Sequence, residues 1–409
     1  MTDTQLKDSK AFLAKRYSAE RRFKIYGAAA LAITTAFLLF LLLDIARKGL
    51  PAFFEHRATL EVLIDPAKID AADPAASDFE NLVRESFYAQ FPSMTSRADR
   101  KQLKSILSQS ASDDLRAAVI SDPSLIGKTI ATKALLSDNA DLYLKGMAAD
   151  EKNPALDSLR EKNLIEKRIA WRFFENGDSR EPEQAGIRGA LVGSLLTVAI
   201  ALALGLPLGV AAAVYLEQFA PKNHWTDIIE ININNLAAVP SIIFGLLGLA
   251  IFLNVFGMPR SAPVVGGLVL ALLVLPTIII ASRAALRAVP PSIKEAALGV
   301  GASQQQAVFH HILPLAIPGI LTGAILGLAR AFGETAPLLM IGMVAFIADV
   351  PQGFTDAAAV LPVQVYLWSD LPELAFQSKT AAAIIVLIVV LFALNAIAIY
   401  LRRKFERRW

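Results

Sequence analysis

Cysteine is absent from all 409 residues, which removes disulfides, thiolate metal sites and cysteine nucleophiles together. The chain must hold itself together by packing alone. Charge is also scarce, with Asp, Glu, Lys and Arg making up 19% of the residues and a net charge of only +3. The basic residues gather at the ends of apolar runs and at the termini, with no basic stripe interleaved with aromatics. That distribution argues against a nucleic-acid partner.

Apolar surface is what the sequence has in excess. With 55% hydrophobic residues and a mean hydropathy of +0.48, the chain is too apolar to keep a wettable surface, and the bilayer is its expected solvent. A hydrocarbon core about 30 Å thick takes roughly 20 apolar helical residues. Six runs meet that requirement: 25–43, 190–216, 228–256, 264–282, 315–340 and 381–401. Asp44, Arg47 and Lys48 follow the first run where a signal peptide needs small residues, so it reads as an uncleaved anchor. Lys15, Arg16, Arg21, Arg22 and Lys24 precede the first run, and Arg402, Arg403, Lys404, Arg407 and Arg408 follow the last. Although Arg47, Lys48, Arg180 and Arg188 on the opposite side reduce the contrast, these two basic groups place both termini in the cytoplasm. The expected organisation is a cytoplasmic N-terminus at 1–24, an anchor helix at 25–48, an inserted domain outside the cytoplasm at 49–184 and a membrane core at 185–409.

Within the insertion, "ATLEVLID" alternates Leu60, Val62 and Ile64 as a strand does, whereas "SDDLRAAVI" and "DSLREKNLIEKRIAWRFF" carry helical spacing. A mixed, mainly helical domain is expected. In the last of these segments Ile165, Ile169 and Phe173 form one stripe, with Trp171 and Phe174 nearby. The stripe packs on its own domain or lies on the membrane surface. "SDPSLIGKT" copies the end of a phosphate-binding loop in Gly127, Lys128 and Thr129. Asp122 stands where the first glycine belongs and opposes phosphate, so a helix start after Pro123 is expected instead.

The loop at about 283–314 reads as two short soluble helices. Ser292 stands three residues before Glu295 and Ser303 three before Gln306, the spacing of two capping boxes. Gly299 and Gly301 are expected to break the first helix and Pro314 to limit the second. His310 and His311 then fall at the carbonyl end of the second, where partial negative charge favours imidazolium. Adjacent helical positions point different ways and no third ligand is evident, which argues against a metal there. Ala296, Ala297, Leu298, Val308 and Phe309 need a surface to pack on: either a partner protein or the chain's own spans.

Glu295-Ala296-Ala297, then Gly301, then Leu313-Pro314 resemble the EAA loop of ABC importer permeases, which in that family docks into a groove of the ATP-hydrolysing subunit. His311 departs from the pattern, falling where the family usually has an aliphatic residue. "NLAAVPSIIFGLLGL", "LRAVPPSIKEAALGVGAS" and "LARAFGETAPLLM" resemble the second permease subunit of phosphate ABC importers, over most of 186–409. The stretch before them resembles, more weakly, an additional domain found in a subset of these permeases. The resemblance implies an all-α polytopic membrane protein with six transmembrane helices and a type I importer core, in the bacterial inner membrane. It implies a subunit that couples and conducts, with no catalysis and no cofactor of its own. The implied partners are an ATP-binding subunit dimer, a homologous second permease, a periplasmic phosphate-binding protein and membrane lipids.

Arg330 and Glu334 stand inside the fifth run. A charge at mid-bilayer costs roughly 2.5 to 3.5 kcal/mol, so both are expected to face protein or water. Counted from Leu315, Arg330 lies about 22 Å along the helix, in the outer half of the membrane. The pair is either a structural i,i+4 contact or, with Thr335, the lining of a substrate pathway in which Arg330 attracts an oxyanion. Asn232, Asn234, Asn235 and Ser241 suit bonding between helices or a pathway, and Gly205 and Gly209 around Pro207 suit close helix contact. Three other readings stay open. A permease for molybdate, sulfate or phosphonate keeps the same features, a membrane sensor reads a ligand through 49–184, and a secondary transporter dispenses with the ATPase.

Overall fold

The computed structural model describes residues 3–69, 77–147 and 153–405. Arg407 and Arg408 lie outside the described residues. The first apolar run sits in one uninterrupted helix, Asp3–Gly49. Among the described residues, five helices are long and apolar enough to cross a membrane, and a sixth crossing is counted if the bent pair His224–Ala237 and Ser241–Val255 is taken as one span.

The insertion is built around one strand. Strand β1, Phe54–Leu63, lies at the centre of an antiparallel sheet between β2, Thr129–Leu135, and β3, Ile165–Ile169. The expected alternation holds, and Leu60, Val62 and Ile64 are fully buried. They join Phe79, Val83, Phe87, Leu103, Leu115 and Leu156 in one core. The helix Phe79–Ala89 supplies three of these side chains, and Asp113–Ser121 forms where its spacing predicted a helix. Each fully buried aliphatic or aromatic side chain contributes roughly 1.5 to 3 kcal/mol, so this core is what holds the insertion together.

The stretch 157–174 is not one helix. The helix Pro154–Glu161 ends, Asn163 takes a left-handed backbone (φ 54°), and the chain returns as β3. A spacing of four satisfies both the helical period and the strand period of two, so Ile165 and Ile169 did not discriminate between them. Free donors and acceptors on the edge of β1 then decided, pairing Ala58 with Ile165 and Phe54 with Ile169. Asp122 accepts from the Ser124 amide and opens a short helical turn at Pro123, as the sequence reading of that segment required.

In the membrane core the helix Pro263–Arg287 is the most buried, packed against Arg188–Val214 on one side and Leu313–Gly333 on the other. Small residues make the approach possible. A methyl group on Gly209 would lie 2.7 Å from Ile278, and one on Gly323 would lie 2.4 Å from Ala281. The spacing of Gly205 and Gly209 therefore serves close helix contact, as expected. The first helix meets the last helix, Leu374–Phe405, at its own C-terminal end, where a Cβ on Gly49 would be 2.7 Å from Ala381. Phe173 of the insertion, Trp368 and Phe376 join at the same level, and the Trp368 indole N–H donates to Asp178 at 2.9 Å.

Candidate functional site

Proline sets the shape of the fifth apolar run. A continuous helix needs the amide of residue 337 to donate to the Gly333 carbonyl, but Pro337 has no N–H and its ring clashes with that carbonyl. The helix Leu313–Gly333 accordingly stops, Glu334 turns extended (φ −78°, ψ 127°), and a short helix restarts at Ala336–Met340 with Pro337 in its first turn. The single helix expected over 315–340 is thus two pieces, and the charges flank the break. Arg330 sits in the last turn of the first piece, where the helix end favours a cation. Its Nε lies 3.6 Å from Glu334 Oε1, with the two side chains 36% and 21% exposed. The contact spans a helix terminus and does not run along a helix face. Thr335 caps the second piece through its carbonyl, which accepts from Leu338 and Leu339 at 3.1 Å.

The magnitudes separate two explanations of this pair. A partly exposed ion pair returns about 0 to 1 kcal/mol, whereas placing either charge at membrane depth costs roughly 2.5 to 3.5 kcal/mol. Stability alone does not account for it.

The third run breaks the same way. His224–Ala237 ends, Pro240 occupies the start of the next helix, and the axis turns by 100° into Ser241–Val255. The two restarting half-helices lie side by side, because a Cβ on Gly245 would be 2.6 Å from Pro337 and one on Gly248 would be 3.2 Å from Ile341. Both contacts advance in the same direction, so the breaks at 238–240 and 334–335 sit at about the same level. Near the first break, Asn232, Asn234 and Asn235 are exposed, and no residue of His224–Ala237 is buried. Asn232 donates to the Ile228 carbonyl of its own helix at 2.8 Å. Among the described residues, no bond from these asparagines to a neighbouring helix is seen.

The loop carrying the signature differs from expectation in three places, the first being that His310 and His311 lie inside a helix that continues past them and not at its carbonyl end. Pro290 and Pro291 start the first helix, Pro291–Gly299, so Ser292 falls inside its first turn and caps nothing. Ser303 and Gln306 do form a reciprocal capping box. The second helix is not limited by Pro314. It runs on from Gln304 to Gly333 as one 30-residue helix, and π-helical turns at Ala307–Ile312 take up the missing proline donor. Gly301 makes the turn between the helices with φ 91°. The packing question is answered in part: Ala297 and Val308 are buried against the chain itself, while Leu298, Val300 and Phe309 stay exposed. Glu295 and Ala296 are exposed beside them, whereas Leu313 and Pro314 are half-buried at the base of the long helix. Beside the loop runs an apolar groove of about 600 Å³, lined by Ala285, Val289, Ile293, His310, His311 and Pro318. Among the described residues no group of three metal-ligating side chains occurs.

A second polar cluster, not anticipated from the sequence, lies at the joint between the insertion and the last helix. Around a cavity of about 40 Å³ stand Glu55, His56, Asp138, Asp141, Glu183 and Lys379. His56 Nδ1 lies 2.8 Å from Asp141, and Lys379 donates to the Ala185 carbonyl at 2.5 Å. Burial pushes the Asp138 carboxyl up, with the Glu373 and Asp141 charges adding to it. Burial likewise pushes Glu183 up, with Asp138 and Glu181 adding like charge. Nothing in the sequence joins 56, 138, 183 and 379, which come together only in the fold.

Residues 205–409 match the family described as binding-protein-dependent transport system inner membrane component. The chain belongs to that family. Residues 10–153 match a domain of unknown function, DUF3333, which stops short of β3. A probable ABC transporter permease protein, YqgI of Bacillus subtilis (strain 168), is 37% identical over 172 residues, which is 42% of this chain and 58% of that protein. The alignment thus spans under two thirds of that relative. The phosphate transport system permease protein PstA 1 of Mycobacterium tuberculosis (strain CDC 1551 / Oshkosh) is 32% identical over 238 residues, 58% of this chain and 77% of that protein. PstA of Xylella fastidiosa (strain Temecula1 / ATCC 700964) is 30% identical over 54% of this chain and 77% of its own length. Among solved structures, the inward-facing MetNI methionine ABC transporter aligns with 54% of this chain at a TM-score of 0.40 and 17% identity.

Proposed function

We propose that the chain is the second transmembrane subunit of an ATP-driven importer of inorganic phosphate, moving its cargo by alternating access. The family and the phosphate permeases it resembles support the class of substrate. The observation that carries the mechanism is the break at 334–335, which leaves Arg330 partly exposed at membrane depth beside an acid that does not fully satisfy it. Arg330 attracts the passing oxyanion, Glu334 keeps that attraction weak enough for release, and Thr335 lies with them along the path. A path that bound tightly would not turn over.

In this reading both termini are cytoplasmic and the 49–184 insertion stands outside. Glu295, Ala296, Ala297 and Gly301 face a cytoplasmic ATPase, with Leu313 and Pro314 joining the loop to the fifth span. The exposed Leu298, Val300 and Phe309 are the apolar surface that an ATPase subunit covers. ATP-driven closure of two ATPase copies swings the loop, and the long helix Gln304–Gly333 carries that motion to Arg330. A homologous permease supplies the other half of the path and a soluble binding protein delivers phosphate from outside.

Uptake of labelled phosphate into cells or vesicles tests the proposal. Arg330→Gln is expected to abolish uptake while the chain still co-purifies with its ATPase. Unimpaired uptake by that variant would return the pair to a structural role. Competition by sulfate, molybdate or phosphonate at phosphate-like concentrations would reassign the cargo.

A further inference from the structure

The signature loop is joined to the bundle by more than its two covalent ends. The helix Arg188–Val214 finishes in a turn, Tyr215–Phe219, and two consecutive residues of that turn are gripped from three other elements. Glu217 is bonded by Arg283 at 3.4 Å and by Arg287 at 2.9 Å, both from the last turns of the central helix. Arg283 reaches on to Glu230 in His224–Ala237. Gln218 accepts from Lys294 Nζ at 2.9 Å through its side chain and from Gln304 Nε2 at 2.8 Å through its carbonyl. Lys294 belongs to the first loop helix and Gln304 opens the second.

Arg283 is only 9% exposed. A buried ionic network is weak evidence of stability, because desolvation offsets its Coulombic gain, but every bond in it fixes a relative position. Here the positions fixed are those of both loop helices, the first core span, the central helix and the helix before the 100° bend. Glu217 and Gln218 are the common partners.

Building on the reading of the chain as an ATP-driven phosphate permease, we propose that Glu217 and Gln218 are positioning residues for coupling. The turn that holds them moves with the loop as one rigid body, and Arg283 passes that motion to the central helix and to His224–Ala237. The broken span near Pro240 is then driven from its inner end, while the long helix Gln304–Gly333 drives the other break directly.

The test uses the assembled transporter in proteoliposomes, with its partner permease, ATPase and binding protein, reading phosphate uptake and ATP hydrolysis together. Glu217→Gln is expected to lower the phosphate moved per ATP by about fivefold or more, the low end of coupling between distinct sites, with ATPase co-purification unchanged. A wild-type ratio in that variant overturns the proposal. Should Glu217→Gln fail to assemble, Lys294→Met cuts the same network from the loop side, and the same fall is expected; a wild-type ratio there overturns it equally. The chain has no cysteine of its own, so Gln218→Cys and Gln304→Cys are the two thiols within it that a short bifunctional reagent can join. Linking is expected to leave uptake intact, and loss of uptake on linking, but not on single labelling, refutes the rigid body. A wild-type assembly that moves no phosphate would instead overturn the functional reading on which the inference rests.

Discussion

Replacing Gly245 by alanine sets a methyl group against backbone that has no room to give. Its Cβ would stand 2.6 Å from Pro337 Cα, 2.7 Å from the Pro337 carbonyl oxygen and 2.9 Å from Met340 Cβ. Carbon atoms rest at about 3.5 to 4.0 Å, so the half-helices at 241 and 336 must separate by roughly 1 Å. Overpacking of that kind costs about 1 to 3 kcal/mol. Gly27 supplies the control, because it lies in the exposed anchor helix and an added Cβ there meets nothing within 4 Å. Both substitutions gain the same helical propensity, about 1 kcal/mol, so the difference between them isolates the clash.

Thermal unfolding of the two variants in one detergent measures that difference, and labelled-phosphate uptake reads its consequence at the breaks. Gly245→Ala is expected to be the less stable by about 1 to 3 kcal/mol and to lose uptake, while Gly27→Ala matches or exceeds the parent. Equal stability would show that the half-helices do not meet as described, and the common level of the two breaks would go with it.

Leu60→Ala removes a fully buried side chain from the central strand of the insertion and is expected to cost about 2 to 5 kcal/mol, read as loss of protease resistance in 54–169. Phe309→Asp alters a side chain 51% exposed on the loop, so the chain is expected to fold normally yet lose its ATPase on co-purification. Asp138 and Glu183 have raised carboxyl values, so their contribution to the joint is present in acid and lost as the pH climbs from about 4 through those values. Asp138→Asn combined with Glu183→Gln is expected to flatten that part of the pH dependence, checked by unfolding temperature across a pH series.

Hydropathy and length are global properties of a segment, and for that reason the apolar runs and the alternation of Leu60, Val62 and Ile64 could be read directly. Local punctuation was harder. Ser292 and Glu295 had the spacing of a cap, but Pro290 began the helix two residues earlier and left the serine inside it. Pro314 promised a stop, and π-helical turns absorbed it, whereas Pro337 sits at a complete break. The difference lies in the preceding backbone, since Glu334 goes extended and lets Pro337 begin a new turn. The loop signature was legible through family resemblance. The network around Glu217 was not, because Glu217 and Arg283 are 66 residues apart and each reads alone as an ordinary charge at the end of a span.

The breaks also constrain what surrounds this chain. Irregular backbone at membrane depth persists only where it is buried in protein or lines water, because lipid cannot satisfy freed amides and carbonyls. In the proposed arrangement the segments 238–240 and 334–335 are such backbone, and the exposed Asn232, Asn234 and Asn235 together with Arg330 share the requirement. Among the described residues the helix His224–Ala237 touches Pro263–Arg287, yet none of its residues is buried. The cover must therefore be another protein surface or an aqueous path, and the proposed arrangement of two homologous permeases around a phosphate route provides both on the same face. Asparagine, arginine and broken helix turned toward acyl chains would be costly parts of the molecule; in the proposed arrangement they turn toward a second subunit and water, where an oxyanion can pass.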